Sequence, residues 1–291
     1  MSRMRADLAR AAVDARPTPR LYFADFGRAN RNLGIEGARG AYVSEPPREG
    51  TRPRLSIASP CFNEADGIAS VIEDWNRILD GLPFESEIVV CNDGSTDSTL
   101  EILQGLARRL PRLQVVSLAK NGGYGRALSA ALNATRGDFV ATIDSDGQFD
   151  LADVPHLLAV AETGECQLVT GYRRQKQDTR VRVFANKGLH WLVRLMFGVS
   201  LRDTNCAIKV ARADVLRGMP IEAASWATPT EICLRSHARG HVIREVPVEH
   251  RLRPTGHSKI RTFGAAWGFV RYLAYMRLKL HLYRTGILNQ P

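Results

Sequence analysis

Residues Phe139 to Asp150 read FVATIDSDGQFD, an apolar, strand-like run that stops at two carboxylates, Asp144 and Asp146, one residue apart. Two acids at the carboxyl end of a buried strand repel each other and lose hydration. Such a pair therefore persists when a cation or a proton sits between them. Hard carboxylate oxygens favour Mg2+ or Mn2+, and Mg2+ is commonly held by one or two carboxylates together with substrate phosphates. Asp, Ser and Gly are also turn formers, so the same residues read equally as a solvated turn. A calcium loop of the EF-hand kind fits badly. Gly147 stands fourth from Asp144 where the sixth position needs glycine, and Pro155 stands twelfth where glutamate is needed.

Working outward from this run decides between the two readings. From Leu55 onward, short apolar runs alternate with helical stretches, the pattern of an α/β domain with a largely parallel sheet. Strands are predicted at Leu55 to Ser59, Glu87 to Cys91, Gln114 to Ser117, Phe139 to Ile143 and Leu168 to Thr170. Helices are predicted at Ala65 to Leu79, Ser98 to Leu110, Tyr124 to Ala134 and Val154 to Ala161. Open α/β sheets bind ligands outside the carboxyl ends of their strands. Four successive strands here end in polar clusters: SPCFNE with Asn63 and Glu64, NDGSTDS with Asn92, Asp93 and Asp97, KNGGYGRA, and DSDGQ. Each alone has an ordinary reading. Ser98 with Glu101 fits a capping box, Asn92 to Gly94 suits a tight turn, and Gly122, Gly123 and Gly125 open a helix. Glycine-rich helix starts also receive phosphate, and four polar clusters in series favour one shared crevice.

The 291 residues, 44% of them hydrophobic, suffice for a full core in one large domain or two small ones. Net charge is +10, and its placement says more than its size. Residues 251–291 hold eight Lys or Arg and no Asp or Glu, leaving 32 basic against 30 acidic groups in residues 1–250. That asymmetry points to an anionic partner, whether phosphate, a membrane surface or nucleic acid, or else to a solvated basic helix. Cys61, Cys91, Cys166, Cys206 and Cys233 are scattered without zinc spacing, as reduced cytosolic thiols are. No signal-peptide pattern follows Met1. Arg271 and Arg277 interrupt the last apolar stretch, so no spanning helix is expected. Residues 1–50, rich in Pro and Gly after a helical candidate at Arg5 to Ala15, read as an extension of unreadable role.

The ordered motifs SIASPCFNE, NDGSTDST, NGGYGRAL, ATRGDFV, DSDGQ, RDTNCAIKV and RPTGHSKI together resemble a family 2 glycosyltransferase of the GT-A fold. Within that family the chain is similar to the dolichyl-phosphate mannose synthase and dolichyl-phosphate glucosyltransferase branch, over roughly residues 54 to 260. The resemblance implies a Rossmann-like, mostly parallel central sheet flanked by helices, with a catalytic domain over 51–261 and a basic, aromatic C-terminal helix over 262–291. It implies that Pro60, Asn63 and Glu64 line a nucleoside pocket, that Asp93 contacts the base, and that Gly123, Ser145 and Gln148 join the nucleotide-sugar contacts. Asp146 would be the principal ligand of Mg2+ or Mn2+, with Asp144 its partner toward ribose or diphosphate. Arg253, Ser258 and Lys259 would meet phosphate oxygens on the acceptor side. Asn92 departs from the aspartate of many relatives and Ala207 from a frequent glycine. The spanning helices that many relatives carry are not expected here, so a polyprenyl acceptor would be met by surface docking.

These parts imply metal-assisted transfer of a hexose from a UDP- or GDP-sugar, with inversion, onto a polyprenyl-phosphate-like acceptor. A lipid phosphate is already anionic and needs cations such as Arg253 and Lys259 rather than a base. A hydroxyl acceptor needs a carboxylate, and Glu231 in WATPTEICLRS comes first for that role, with Asp203 second; both equally suit caps or ion pairs. Thr262 to Arg284 mixes Trp267, Phe269, Tyr272, Tyr275 and Tyr283 with Arg271, Arg277, Lys279 and Arg284 without clean segregation. It reads either as a headgroup-level helix or as a helix packed on the catalytic domain or another subunit. The expected setting is cytoplasmic or peripheral on a membrane, with oligomerisation left open. A non-catalytic nucleic-acid binder fits the pI of 9.7 but leaves four acidic strand ends unexplained, so no nucleic acid is expected.

Overall fold

The computed structural model describes residues 42–43, 52–174, 188, 191–224, 227–251 and 262–288, all inside a unit spanning Gly37–Pro291. Its strands are β1 (Tyr42–Val43), β2 (Leu55–Cys61), β3 (Ser86–Asn92), β4 (Leu113–Ser117), β5 (Phe139–Thr142), β6 (Leu168–Arg173), β7 (Lys209–Arg212) and β8 (Ile243–Val248). Among the described residues they form one eight-stranded sheet in the order β1-β4-β3-β2-β5-β7-β6-β8. Strand β2 pairs parallel with both β3 and β5, β3 with β4, and β6 with β8. Strand β7 runs antiparallel between β5 and β6, and Tyr42–Val43 pairs antiparallel with Val116 and Ser117 of β4. The helices are α1 (Ile68–Asp80), α2 (Thr99–Arg109), α3 (Tyr124–Ala134), α4 (Val154–Glu162), α5 (Ala213–Leu216), α6 (Thr228–Ala238) and α7 (Thr262–Arg284).

Strands buried on both faces read as continuous apolar runs, and β3 shows why. Ile88 and Val90 point into a core built with Ile68, Ile72 and Trp75 of α1 and with Leu103 and Leu106 of α2. Val89 and Cys91 enter the opposite core, with Ala127, Leu128 and Ala131 of α3 and Ile232 and Cys233 of α6. The five expected strands and four expected helices all form, with ends shifted by a few residues. Helix α2 has no side-chain cap from Ser98; the amide of Thr99 donates to the Asp97 carboxylate at 3.0 Å instead. The capping-box reading of Ser98 is thereby replaced.

Helix α7 buries one stripe without cleanly segregated faces, as the sequence indicated. Phe269, Leu273, Met276 and Leu280, at helical spacing, are buried against Val193, Phe197, Ala223, Ala227 and Leu234. Val270 and Leu278 remain exposed on the other side, which dilutes the contrast that a sequence pattern shows. No helix among the described residues is long and apolar enough to cross a membrane.

Candidate active site

Chain order reverses beside β2: the chain runs outward through β3 and β4, then returns to place β5 on the other flank of β2. Crevices at such switch points lie outside the carboxyl ends of the strands. The loop after β5 is joined there to the end of β2 by the buried Ser145, whose hydroxyl donates to the Pro60 carbonyl at 2.9 Å. The loop after β2 is braced against the loop after β3. Asn63, at φ 52°, donates its amide to the Ser95 hydroxyl at 2.9 Å, and its side-chain oxygen accepts from the Thr96 amide at 2.8 Å. The Glu64 amide donates to the Thr99 hydroxyl at 2.9 Å. Burial acts to raise the Asp97 pKa, but the hydrogen bonds from Thr99 and Ala65 outweigh it and hold this acid below its ordinary value.

Asp93 is buried, and its two oxygens accept from the amides of Gly122 and Gly123 at 2.7 and 2.8 Å. Burial raises its pKa, opposed by those two amides and then by Arg126. Its neighbour Asn92 is 1% exposed, donating to the Ser117 hydroxyl at 2.9 Å and accepting from the Ser95 amide at 3.3 Å. A neutral amide at that depth avoids a second buried charge beside Asp93. The glycines of this loop are required by close approach. A Cβ on Gly123, at φ 87°, would lie 2.4 Å from the Ala224 carbonyl oxygen, and one on Gly125 would lie 2.0 Å from that of Ala223.

The sequence-predicted aspartate pair stands in the same crevice. An oxygen of Asp144 accepts from the Tyr124 hydroxyl at 2.7 Å, and an oxygen of Asp146 accepts from the Gln148 amide at 3.1 Å across a turn in which Gly147 has φ 72°. Burial, then the charge of Asp144, pushes the Tyr124 phenol well above its ordinary range, so it stays protonated and a donor at neutral pH. Gln148 is tied to the strand-end segment after β8: the Arg251 amide donates to its carbonyl at 2.7 Å. Among the described residues no group of three or more His, Cys, Asp or Glu gathers as a metal cage. Two hard carboxylates on one turn nevertheless match a Mg2+ or Mn2+ that takes its remaining ligands from a diphosphate.

The two acids considered as bases are engaged in buried ion pairs. Glu231 is 0% exposed on α6; its oxygens accept from the amides of Glu222 at 3.0 Å and Ala223 at 2.7 Å, and from Arg235 Nε at 2.7 Å. Asp203 is 1% exposed and forked by Arg173, whose Nε and Nη2 donate at 2.7 and 3.0 Å. Arg253, Ser258 and Lys259 lie outside the described residues. Sequence reasoning passed over Tyr124, although it sits inside NGGYGRA. It also passed over Lys209, a fully buried ammonium that donates to the Cys206 carbonyl at 2.7 Å and the Thr170 hydroxyl at 3.0 Å. Its place at the end of the RDTNCAIK motif was the available signal for it.

A family model described as glycosyl transferase family 2 matches residues 56–215, which contain every crevice residue described above except Arg251 and the 222–224 segment. This chain belongs to glycosyl transferase family 2. The family 2 domain is 31% identical over 207 residues to an undecaprenyl-phosphate 4-deoxy-4-formamido-L-arabinose transferase of Edwardsiella ictaluri, a match covering 70% of this chain and 62% of that protein. It is 28% identical to a dodecaprenyl-phosphate galacturonate synthase of Rhizobium johnstonii, over 77% and 68% of the two chains. The chain thus spans under two thirds of the first relative's length. Among solved structures, glucosyl-3-phosphoglycerate synthase from Mycobacterium tuberculosis with phosphoglyceric acid superposes with a TM-score of 0.61, at 26% identity over 78% of this chain and 80% of that one. The same enzyme with Mn2+, UDP-glucose and phosphoglyceric acid gives a TM-score of 0.57, at 25% identity over 78% and 79%. The GT-A expectation for the fold holds, with β7 and β1 as its antiparallel members.

Proposed function

We propose that this family 2 domain transfers a hexose, with inversion, from a nucleoside diphosphate sugar to a polyprenyl phosphate. The observation that carries the reading is the junction at the switch point, where Ser145 joins the loop bearing Asp144 and Asp146 to Pro60 at the end of β2, just before Asn63 and Glu64. In this reading Asp144 and Asp146 hold a divalent ion at the donor diphosphate. When bound, the ion supplies charge neutralisation on the departing nucleotide. Asp93 keeps the glycine loop seated on the donor side, and its oxygens have lone pairs beyond those two amides for a base N–H. Gln148, Gly123 and Ser145 shape the wall of the pocket. Arg253, Ser258 and Lys259 receive the acceptor phosphate.

The nature of the acceptor follows from the acids that are withdrawn. A hydroxyl nucleophile needs a carboxylate within hydrogen-bond reach. Glu231 and Asp203, the two sequence candidates, are each buried against an arginine, which favours a phosphate acceptor that arrives already ionised. The two relatives named above also carry polyprenyl-phosphate substrates in their names. Lipid access would come along the exposed side of α7 and the neighbouring helical residues 191–197. There Trp191, Leu195, Val270 and Leu278 are exposed among Arg194, Arg271, Arg277 and Arg284, a mixture that suits an anionic headgroup layer.

The test offers UDP- and GDP-sugars with Mn2+ to the purified protein, with a short-chain polyprenyl phosphate, 3-phosphoglycerate or neither. Fast nucleotide release with the lipid phosphate alone is expected. Fast release with 3-phosphoglycerate alone would move the reading to a soluble acceptor, and no metal-dependent nucleotide binding would remove the enzyme reading altogether.

A further inference from the structure

Tyr124 is the first residue of α3, and both sides of its backbone are fixed. Ahead of it, the amides of Gly122 and Gly123 are held by the Asp93 carboxylate. Its own amide donates to the Ala224 carbonyl at 3.0 Å, and Gly123 and Gly125 touch the 223–224 carbonyls so closely that neither position has room for a Cβ. The 222–224 segment is in turn pinned by Glu231, which accepts from the amides of Glu222 and Ala223 while paired with Arg235. From this fixed root a rigid phenol with only two side-chain torsions reaches the Asp144 carboxylate at 2.7 Å.

We propose that Tyr124 is a positioning residue of the donor site: its hydroxyl sets the orientation of the Asp144 carboxylate, and the 222–224 segment sets the hydroxyl. The inference rests on the reading of Asp144 as part of the nucleotide and metal site. A neutral donor is the chemically apt choice at this place. A lysine or arginine would also orient the carboxylate, but as an ion pair it would cancel the charge that a divalent cation must find there. A hydrogen bond to an ionised oxygen is among the stronger kinds and orients its acceptor without neutralising it. Removing the hydroxyl takes away a donor that fixes the direction of this carboxylate before the ligand arrives, so the loss falls on binding.

The test is Tyr124→Phe, which keeps the ring and its packing. Thermal shift is followed as Mn2+ is titrated in the presence of whichever of UDP and GDP stabilises the native protein, alongside steady-state turnover. The expected result is an unliganded melting temperature close to the native one, an Mn2+ half-saturation raised about tenfold, and a donor KM that rises more than kcat falls. In an Asp144→Asn background the same substitution should cost nothing further, because the two residues act as one unit. Native Mn2+ and nucleotide affinities in Tyr124→Phe, with or without a loss of stability, would overturn the proposal while leaving the donor-site reading intact. An equal loss in the Asp144→Asn background would overturn it too. If neither nucleotide stabilises the native protein with Mn2+, the donor-site reading falls and the proposal with it.

Discussion

The acids around α6 are fully buried, those of the β2–β5 crevice run from buried Asp93 to half-buried Asp144 and Asp146, and the two sets differ in their donors. Glu231 and Asp203 face guanidinium groups, as does Glu87 at the amino end of β3, where it accepts from Arg136 Nε at 3.0 Å and from the Ser56 hydroxyl at 2.6 Å. Asp93, Asp144 and Asp146 each accept from uncharged donors, the Gly122 and Gly123 amides, the Tyr124 phenol and the Gln148 amide. Charge explains the division. An arginine neutralises a buried carboxylate and locks it into the scaffold, whereas neutral donors orient it and leave its charge for a ligand. Within one sheet, a guanidinium partner therefore marks Glu231, Asp203 and Glu87 as structural carboxylates.

The sharpest way to break this comparison is to neutralise one acid of each set. Asp146→Ala should lower turnover by about three orders of magnitude, equivalent to roughly 4 kcal/mol of transition-state stabilisation, and remove metal-dependent nucleotide binding. Its urea unfolding curve should overlay that of the native protein. Retained Mn2+-dependent turnover would reassign the ligand. Glu231→Gln should do the reverse, costing about 1–3 kcal/mol of stability by taking the nearer carboxylate from buried Arg235, which keeps Glu222 at 3.3 Å, and by loosening the 222–224 segment. Denaturant midpoints check that figure, and a stable variant that fails only in turnover would return Glu231 to the list of catalytic groups.

The smallest expected effect sharpens the same contrast through pH. Burial raises the pKa of Glu222, but the hydrogen bonds from Lys279 and Tyr275 and the nearby Arg235 outweigh it and leave this carboxyl below its ordinary 4.5. A depressed carboxyl contributes stability above its unfolded pKa and loses it as pH falls through the folded value. Hydrogen exchange in α7 should therefore accelerate as pH is lowered below about 4.5, after correction for intrinsic rates. In Glu222→Gln that step should flatten; an identical pH response would mean that other groups anchor the helix.

Much of this was legible because backbone periodicity and local chemistry share a range of a few residues. FVATIDSDGQ announces a buried strand ending in paired acids, and NGGYGRA announces a glycine-rich helix start, each within one loop's length. The roles of Glu231 and Asp203 were not legible, because an acid in a sequence carries no sign of its partner. Arg173 is 30 residues from Asp203, and the amides that Glu231 holds belong to a turn whose position depends on the packing of α6. Tyr124 was hidden for the same reason, its acceptor being 20 residues away in the loop after β5. The buried stripe of α7 escaped because exposed Val270 and Leu278 share the helix with it.

By itself, the order of apolar runs and polar strand ends determined the α/β class, the side of the sheet that carries the crevice, and the aspartate pair within it, since hydrophobic burial follows period and position along the chain. Which acids are locked to an arginine was decided only in three dimensions, where guanidinium groups, amides and a phenol distant in sequence reach them.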